Sequence, residues 1–187
     1  TEKQTRWFVL RDLKRPNAKL PAYKFLREER FEVFVPMKSR LITRHGKKEI
    51  EEIPVIQDLL FVHTDKERLD PIVAKTETLQ YRFLRNCGRA PMTVPDDEME
   101  RFIFAVSSSN NTKYYLPEEI TPEMHGRKIR IVGGPLDGYE GSLITIRGSK
   151  VKRLMIKLQN FFAAGVEVNP EYIQFISKYG KEKLGER

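Results

Sequence analysis

The sequence has few of the residues that form disulfides and metal sites. Of its 187 residues, one is a cysteine and three are histidines. The single Cys87 excludes a disulfide within the chain and is typical of a reducing compartment, so we expect a cytoplasmic location. Because Cys87, His45, His63 and His125 are widely separated along the chain, the sequence predicts no structural metal site.

Long apolar runs are also missing. No apolar stretch approaches the roughly 20 residues that a membrane helix needs, so we expect no membrane partner. Residues 1–4 contain no apolar signal core, and secretion is therefore not expected. Apolar residues make up 40% of the chain and charged residues 32%. That balance is typical of a folded globular protein rather than of a disordered one.

Positive charge is in excess. The 34 Lys and Arg residues outnumber 26 Asp and Glu, which gives a net charge of +8 and an isoelectric point near 9.5. A basic balance often accompanies binding to nucleic acid. It is also common in proteins whose charge serves solubility, so composition alone leaves both interpretations open.

The first part of the chain mixes strand and helix patterns. The apolar runs at residues 7–10 and 59–62 are typical of buried strands, and charged residues 40–53 predict a hairpin that turns at His45 and Gly46. Thr64 and Glu67 have the spacing of a helix capping box. A further helix is predicted after Pro95. This part therefore indicates an α+β fold with a four-stranded antiparallel or mixed sheet flanked by helices.

The second part of the chain contains strand patterns only. A polar tract at residues 107–112 and two following prolines predict a linker. Beyond it, five short apolar or alternating segments are separated by glycine-rich turns at residues 133–134, 138, 141 and 148–149. Five strands in about 50 residues, with no helix pattern, predict a small closed β-barrel.

No group of residues in the sequence has the pattern of a catalytic or cofactor site. The glycines at residues 133–141 fit neither the dinucleotide nor the Walker spacing, so turns explain them better. The acidic run at residues 96–98 is explained by the start of a helix. His63 ends an apolar strand with no partner evident nearby in the sequence. We therefore expect no enzyme activity, no cofactor and no metal.

Residues 128–143, Lys-Ile-Arg-Ile-Val-Gly-Gly-Pro-Leu-Asp-Gly-Tyr-Glu-Gly-Ser-Leu, resemble a KOW motif. Residues 7–10 resemble the first strand of an NGN domain, and residues 94–97 resemble the start of its last helix. The order NGN, linker, KOW is typical of NusG-like transcription factors. The resemblance implies an NGN domain at 5–108, a linker at 109–124, an SH3-like five-stranded KOW β-barrel at 125–176 and a charged tail at 177–187.

A finer resemblance concerns residues 56–64, which read Ile-Gln-Asp-Leu-Leu-Phe-Val-His-Thr. Housekeeping NusG proteins usually carry Pro-Gly-Tyr before this strand, and the departure resembles UpxY-type and RfaH-like antiterminators of capsular polysaccharide operons. The resemblance implies a monomeric elongation and antitermination factor. The alternatives are a housekeeping NusG that couples polymerase to Rho or the ribosome, a ribosome-associated KOW protein that binds RNA, and an enzyme of nucleic-acid metabolism.

The same resemblance implies three sets of contacts. The NGN domain would dock on the β′ clamp helices of RNA polymerase through Trp7, Phe8, Leu59, Phe61 and Phe83. Upstream non-template DNA would meet Lys14, Arg15, Lys19 and Lys24. A KOW partner, Rho or a ribosomal protein, would meet Phe161 and Phe162. For the apolar residues the alternative is packing in the core, and for the basic residues it is a solvated face.

Overall fold

The computed structural model describes residues 4–16, 18–84 and 88–176. Cys87 and the predicted tail at 177–187 lie outside these residues. The chain divides into two compact units, Thr1–Met99 and Glu100–Arg187. Among the described residues, no helix combines the length and apolar character needed to span a membrane.

The first unit is built on an antiparallel sheet. Its strands are β1 (Arg6–Asp12), β2 (Glu32–Phe34), β3 (Met37–Arg44), β4 (Lys47–Pro54), β5 (Leu60–Thr64), β6 (Leu79–Tyr81) and β7 (Thr93–Val94). Five of them form one sheet in the order β2-β5-β1-β6, with β7 also paired to β1. The central strand β1 is buried from Trp7 to Leu10, as its continuous apolar run predicts. The short β7 makes this sheet one strand larger than the predicted four.

Strands β3 and β4 make a separate two-stranded sheet, which is the predicted hairpin. The two residues of its turn, His45 and Gly46, have φ of 49° and 74°. Two successive positive φ values are the conformation of a type I′ turn, which glycine adopts without strain. The register sets Arg40 opposite Glu51 and Leu41 opposite Ile50. The hairpin is therefore confirmed.

Three α-helices lie among the described residues: α1 (Ala22–Glu28), α2 (Lys66–Lys75) and α3 (Asp96–Ser107). The capping box predicted at Thr64 and Glu67 is wrong. The N-cap residue of α2 is Asp65, whose carboxylate accepts a hydrogen bond from the Arg68 amide at 2.9 Å. Thr64 stays paired in β5, so its hydroxyl is not placed to cap the helix. The helix also continues through Pro71.

The second unit is a six-stranded sheet. Its strands are β8 (Lys113–Tyr115), β9 (Lys128–Ile131), β10 (Glu140–Thr145), β11 (Lys152–Leu158), β12 (Phe162–Glu167) and β13 (Ile173–Phe175). The order is β13-β9-β10-β11-β12-β8, and each neighbouring pair is antiparallel. The five predicted strands are present. The sixth, β8, lies inside the segment 109–124 that we predicted to be a linker. The α+β class is confirmed.

Helix α3 crosses the division of the chain. Its first residues belong to the first unit and the rest to the second, because the division falls after Met99. Within the second unit, Phe102 is fully buried, and its ring lies 5.9 Å from Phe162 and 6.5 Å from Tyr114. The predicted boundary at residue 108 stays a prediction.

Candidate interaction surfaces

Most of the predicted polymerase contacts lie in the interior. Trp7, Phe8, Leu59 and Phe61 are all buried, whereas Phe83 is 48% exposed. Phe8 belongs to the main core cluster of the first unit. The ring of Phe83 meets the edge of the Tyr81 ring, with 6.5 Å between centroids. In this conformation, Phe83 is therefore the member of the set that offers an apolar surface.

Leu84, the next residue of the chain, is also exposed. We use the name Phe83 patch for the exposed side chains of Phe83 and Leu84. Beneath it, the Tyr81 hydroxyl donates to the Asp70 carboxylate at 2.8 Å, and Lys66 pairs with the same carboxylate at 2.6 Å. Burial and the bond to Asp70 raise the pKa of Tyr81, so this hydroxyl stays protonated as a donor. These contacts hold Tyr81 in place under the patch.

A charged cluster surrounds His63, for which the sequence indicated no partner. The imidazole stacks on the Trp7 indole with 4.9 Å between ring centroids. One ring nitrogen lies 2.9 Å from Glu32 and the other 3.3 Å from Asp96. Burial lowers the pKa of His63, but hydrogen bonds to the two carboxylates outweigh it and raise the pKa above its ordinary value.

The predicted nucleic-acid contacts are only partly brought together. Arg15 and Lys24 line an open cleft of about 640 Å³ between the loop before α1 and the β3–β4 hairpin. Lys19 is exposed but is not among the cleft residues. Lys14 is half-buried, and its ammonium donates to the Leu20 carbonyl at 2.7 Å. Half of the set therefore shares one surface.

The hairpin adds to this cleft two cations that were not predicted from the sequence. Arg40 and Arg44 lie on the same face of β3 and both pair with Glu51, at 2.7 and 3.1 Å. The hydrogen bond from Arg40 lowers the pKa of Glu51. Alternation along the predicted hairpin was the available signal, because every second residue of β3 faces the same way. The cleft lining therefore holds four cationic side chains against three carboxylates, Asp12, Glu51 and Glu52, and this small positive excess is compatible with a phosphate backbone.

The two predicted KOW contacts differ in burial. Phe162 is buried, and its ring stacks on Tyr114 with 5.5 Å between centroids and 10° between planes. Burial also raises the pKa of Tyr114 to about 12. Phe161 is half-buried and precedes β12. Phe162 therefore belongs to the packing of the second unit, and Phe161 is the more accessible of the pair.

Side chains of the same unit fill the space around the glycine-rich turn at residues 133–134. Gly133 and Gly134 both have positive φ, and the Gly133 amide donates to the Asp137 carboxylate at 2.6 Å. A Cβ on Gly134 would lie 2.8 Å from the ring of Tyr172. The space above the turn is therefore filled by an aromatic ring, which favours a structural turn over a phosphate loop. No cluster of three or more metal-ligating side chains occurs among the described residues.

The comparisons with known proteins agree with this architecture. A family model described as "Transcription termination factor nusG" matches residues 5–103. Among solved structures, the chain is similar to the NusG of Thermotoga maritima in a structure titled "Domain interaction in Thermotoga maritima NusG". The TM-score is 0.51 and the identity 12%, over 93% of this chain and 98% of that one. At this identity the likeness concerns the fold alone. No curated protein matches the chain.

Proposed function

The chain belongs to the NusG family, and from this premise we propose that it binds elongating RNA polymerase and suppresses pausing or termination. Members of the family are transcription factors rather than enzymes, and they bind RNA polymerase. The family match over residues 5–103 is the observation that carries the proposal, because it covers the part expected to form the NGN domain.

Within the family, we propose a specialised antiterminator of the UpxY or RfaH type that serves a capsular polysaccharide operon. The support is the sequence at residues 56–64, which lacks the Pro-Gly-Tyr of housekeeping members. A housekeeping NusG is the alternative. Removing the protein would reduce Rho-dependent termination generally if it were a housekeeping factor, whereas an antiterminator would affect one operon.

For polymerase docking, we propose that the β′ clamp helices contact the Phe83 patch. Its exposure supports this, because Phe83 is the one predicted contact whose ring is accessible to a partner. Trp7, Phe8, Leu59 and Phe61 act from the interior, where they hold the sheet that carries the patch. A few such anchors commonly supply most of the binding energy.

For nucleic acid, we propose that upstream non-template DNA follows the cleft lined by Arg15, Lys24, Arg40 and Arg44. Lys14 and Lys19 lie in the same loop region and add to its positive field. For the second domain, we propose that Rho or a ribosomal protein is recruited next to Phe161, whose side chain is partly accessible.

A reconstituted elongation complex tests the polymerase proposal. We expect the chain to bind the complex and to shorten pauses. We expect Phe83→Ala to weaken binding, with a smaller fall in melting temperature than Phe61→Ala because the Phe83 ring is half-exposed. Phe175→Ala is the matched control, since Phe175 is 47% exposed but lies in the second unit. Phe61→Ala should lower the melting temperature because Phe61 is fully buried. Recovery of ribosomal subunits without polymerase would contradict the proposal.

A further inference from the structure

Strand β4 has an outer edge that faces away from β3. Within the described residues, β3 and β4 make a sheet of two strands, so no further strand lies along this edge there. Residues 47–52 of β4 are exposed, apart from half-buried Glu51. The edge of a sheet presents unpaired N–H and C=O groups, which can pair with a strand of another chain. The residues that point outward, and their charges, decide which strand fits.

The hydrogen bonds of the hairpin show which backbone groups point outward. Opposite residues of an antiparallel pair alternate between those that exchange hydrogen bonds and those that do not. At the end of the hairpin away from its turn, the Val55 amide donates to the Pro36 carbonyl at 2.9 Å. Every second residue of β4 counted back from Val55 therefore turns its backbone groups towards β3. The amides and carbonyls of Lys48, Ile50 and Glu52 point the other way.

The same three residues project their side chains on one face of the hairpin, since side chains alternate along a strand. Ile50 lies opposite Leu41 of β3, and the two are 75% and 64% exposed. Among the described residues, no other large apolar side chain is exposed to this extent. Lys48 and Glu52 lie at equal distances on either side of Ile50. The outer edge therefore combines an apolar centre with one charge of each sign.

This arrangement is complementary to itself. If two copies of β4 pair antiparallel with Ile50 opposite Ile50, then Lys48 of each copy lies opposite Glu52 of the other. A two-fold axis through the Ile50 pair creates both ion pairs at once, and the contact closes as a dimer. Every other residue from 47 to 52 is charged, so a pairing centred on any of them would set two like charges opposite each other. The charges therefore favour a single register.

The other face of the joined sheet also tolerates this register. There, Glu49 of one copy would lie opposite Glu51 of the other. Within each copy, Glu51 is already paired with Arg40 and Arg44, at 2.7 and 3.1 Å, so its charge is balanced before the copies meet. The charged residues of β3 are Lys38, Arg40 and Arg44, all basic, so two copies of β3 would repel each other. Self-pairing is therefore favoured at β4 and disfavoured at β3.

We propose that β4 is the contact surface of a symmetric dimer, in which two hairpins join into one four-stranded antiparallel sheet. The partner is a second copy of this chain, and the backbone groups of Lys48, Ile50 and Glu52 form the hydrogen bonds between the copies. On one face, Leu41 and Ile50 of both copies make a row of four apolar side chains. Because two paired strands form a small interface, the association is weak and reversible. This dimer differs from the monomer that the resemblance implies, and it does not rest on polymerase binding.

Sedimentation of the full chain over a concentration series tests the proposal, and we expect a monomer–dimer equilibrium. Lys48→Glu and Glu52→Lys each convert both ion pairs into like-charge pairs, so each variant alone should associate at least about tenfold more weakly. An equimolar mixture of the two variants should form dimers again, because the acidic edge of one matches the basic edge of the other. Lys47→Glu is the matched control, since it makes the same change of charge on the opposite face and should dimerise nearly as well as the unmodified chain.

Amide hydrogen exchange of the unmodified chain, followed by NMR at low and at millimolar concentration, tests the register without any variant. We expect slower exchange at Lys48, Ile50 and Glu52 in the concentrated sample, and no change at Glu49 and Glu51, whose amides point towards β3. A chain that stays monomeric at millimolar concentration, or that gains protection elsewhere, would overturn the proposal.

Two further outcomes would also overturn it. One is a mixture of the two charge variants that associates no better than either variant alone. The other is growth beyond a dimer, because that would mean that β4 pairs with β3 of the next copy and the contact does not close. Melting curves show whether each variant is folded, and the exchange experiment decides the matter if one of them is not.

Discussion

The imidazole of His63 lies flat against the indole of Trp7, with 4.9 Å between ring centroids and 20° between planes. Two carboxylates hold the ring in this position, Glu32 from the neighbouring strand β2 and Asp96 from the first turn of α3. When both ring nitrogens carry a proton, each donates to one carboxylate. When the ring is neutral, one nitrogen faces a carboxylate oxygen with no proton between them.

This cluster predicts that stability depends on pH. The pKa of His63 is raised in the folded chain, so the stabilisation is fully present below the unfolded value of about 6.5. It is lost as pH rises through the higher folded pKa. We expect the melting temperature to fall over this range, and we expect His63→Gln to remove that part of the fall. His125→Gln, at an exposed histidine, is the control. If both variants changed the pH dependence of the melting temperature equally, that dependence would not come from His63.

A second prediction concerns Asp12, the last residue of β1. Its buried carboxylate accepts from the Ala22 amide at 2.8 Å and from the Lys14 amide at 2.9 Å. It thereby caps α1, which lacks a side-chain cap from its own N-cap residue, Pro21. We expect Asp12→Ala to lower the free energy of unfolding by about 1–2 kcal/mol, measured by urea titration. The two amides bond different carboxylate oxygens, so Asp12→Asn keeps one bond and turns its NH2 group toward the other N–H donor. We therefore expect Asp12→Asn to lose nearly as much stability as Asp12→Ala, and full stability of Asp12→Asn would contradict this cap.

The strands were predictable where burial on both faces leaves a continuous apolar run, as at residues 7–10 and 59–62. Strand β8 was not, because its residues lie between a polar tract and Pro117 and have no strand pattern of their own. It forms where the edge of β12 offers backbone partners. The α2 cap was misplaced by one residue, because Thr64 and Asp65 both have capping side chains. Because β5 extends through Thr64, Asp65 becomes the N-cap residue of α2.

The candidate surfaces were less predictable than the strands. An aromatic residue has the same strand propensity whichever way its side chain points, so the sequence did not separate buried Phe61 from exposed Phe83. The His63 cluster joins residues 31 and 33 positions apart, and no local pattern reports such a contact. The basic cleft forms because tertiary packing places the hairpin beside the loop before α1. No local sequence pattern predicts that packing.

A third prediction concerns the salt dependence of DNA binding. If Arg15 and Lys24 each contact a phosphate of single-stranded DNA, each neutralised contact contributes about 0.7 to the slope of log affinity against log salt. We expect Arg15→Met and Lys24→Met each to reduce that slope by roughly this amount, measured by fluorescence anisotropy over a salt series. Lys48→Met is the control, because Lys48 is exposed in β4 and is not among the cleft residues. An unchanged slope in both cleft variants would rule out the cleft as the DNA path.

The last prediction separates two roles of glycine in the second unit. Gly134 and Gly148 both have positive φ, of 69° and 83°, so alanine is strained at either position. A Cβ at Gly134 would also lie 2.8 Å from the Tyr172 ring, whereas at Gly148 it would meet nothing within 4 Å. We expect Gly148→Ala to cost about 1 kcal/mol from backbone strain alone, and Gly134→Ala to cost clearly more in urea unfolding. Because the backbone strain is similar, the difference measures the packing of Tyr172 on the turn. Equal losses would mean that the ring moves aside freely, and then the space above the turn would be open to a ligand after all.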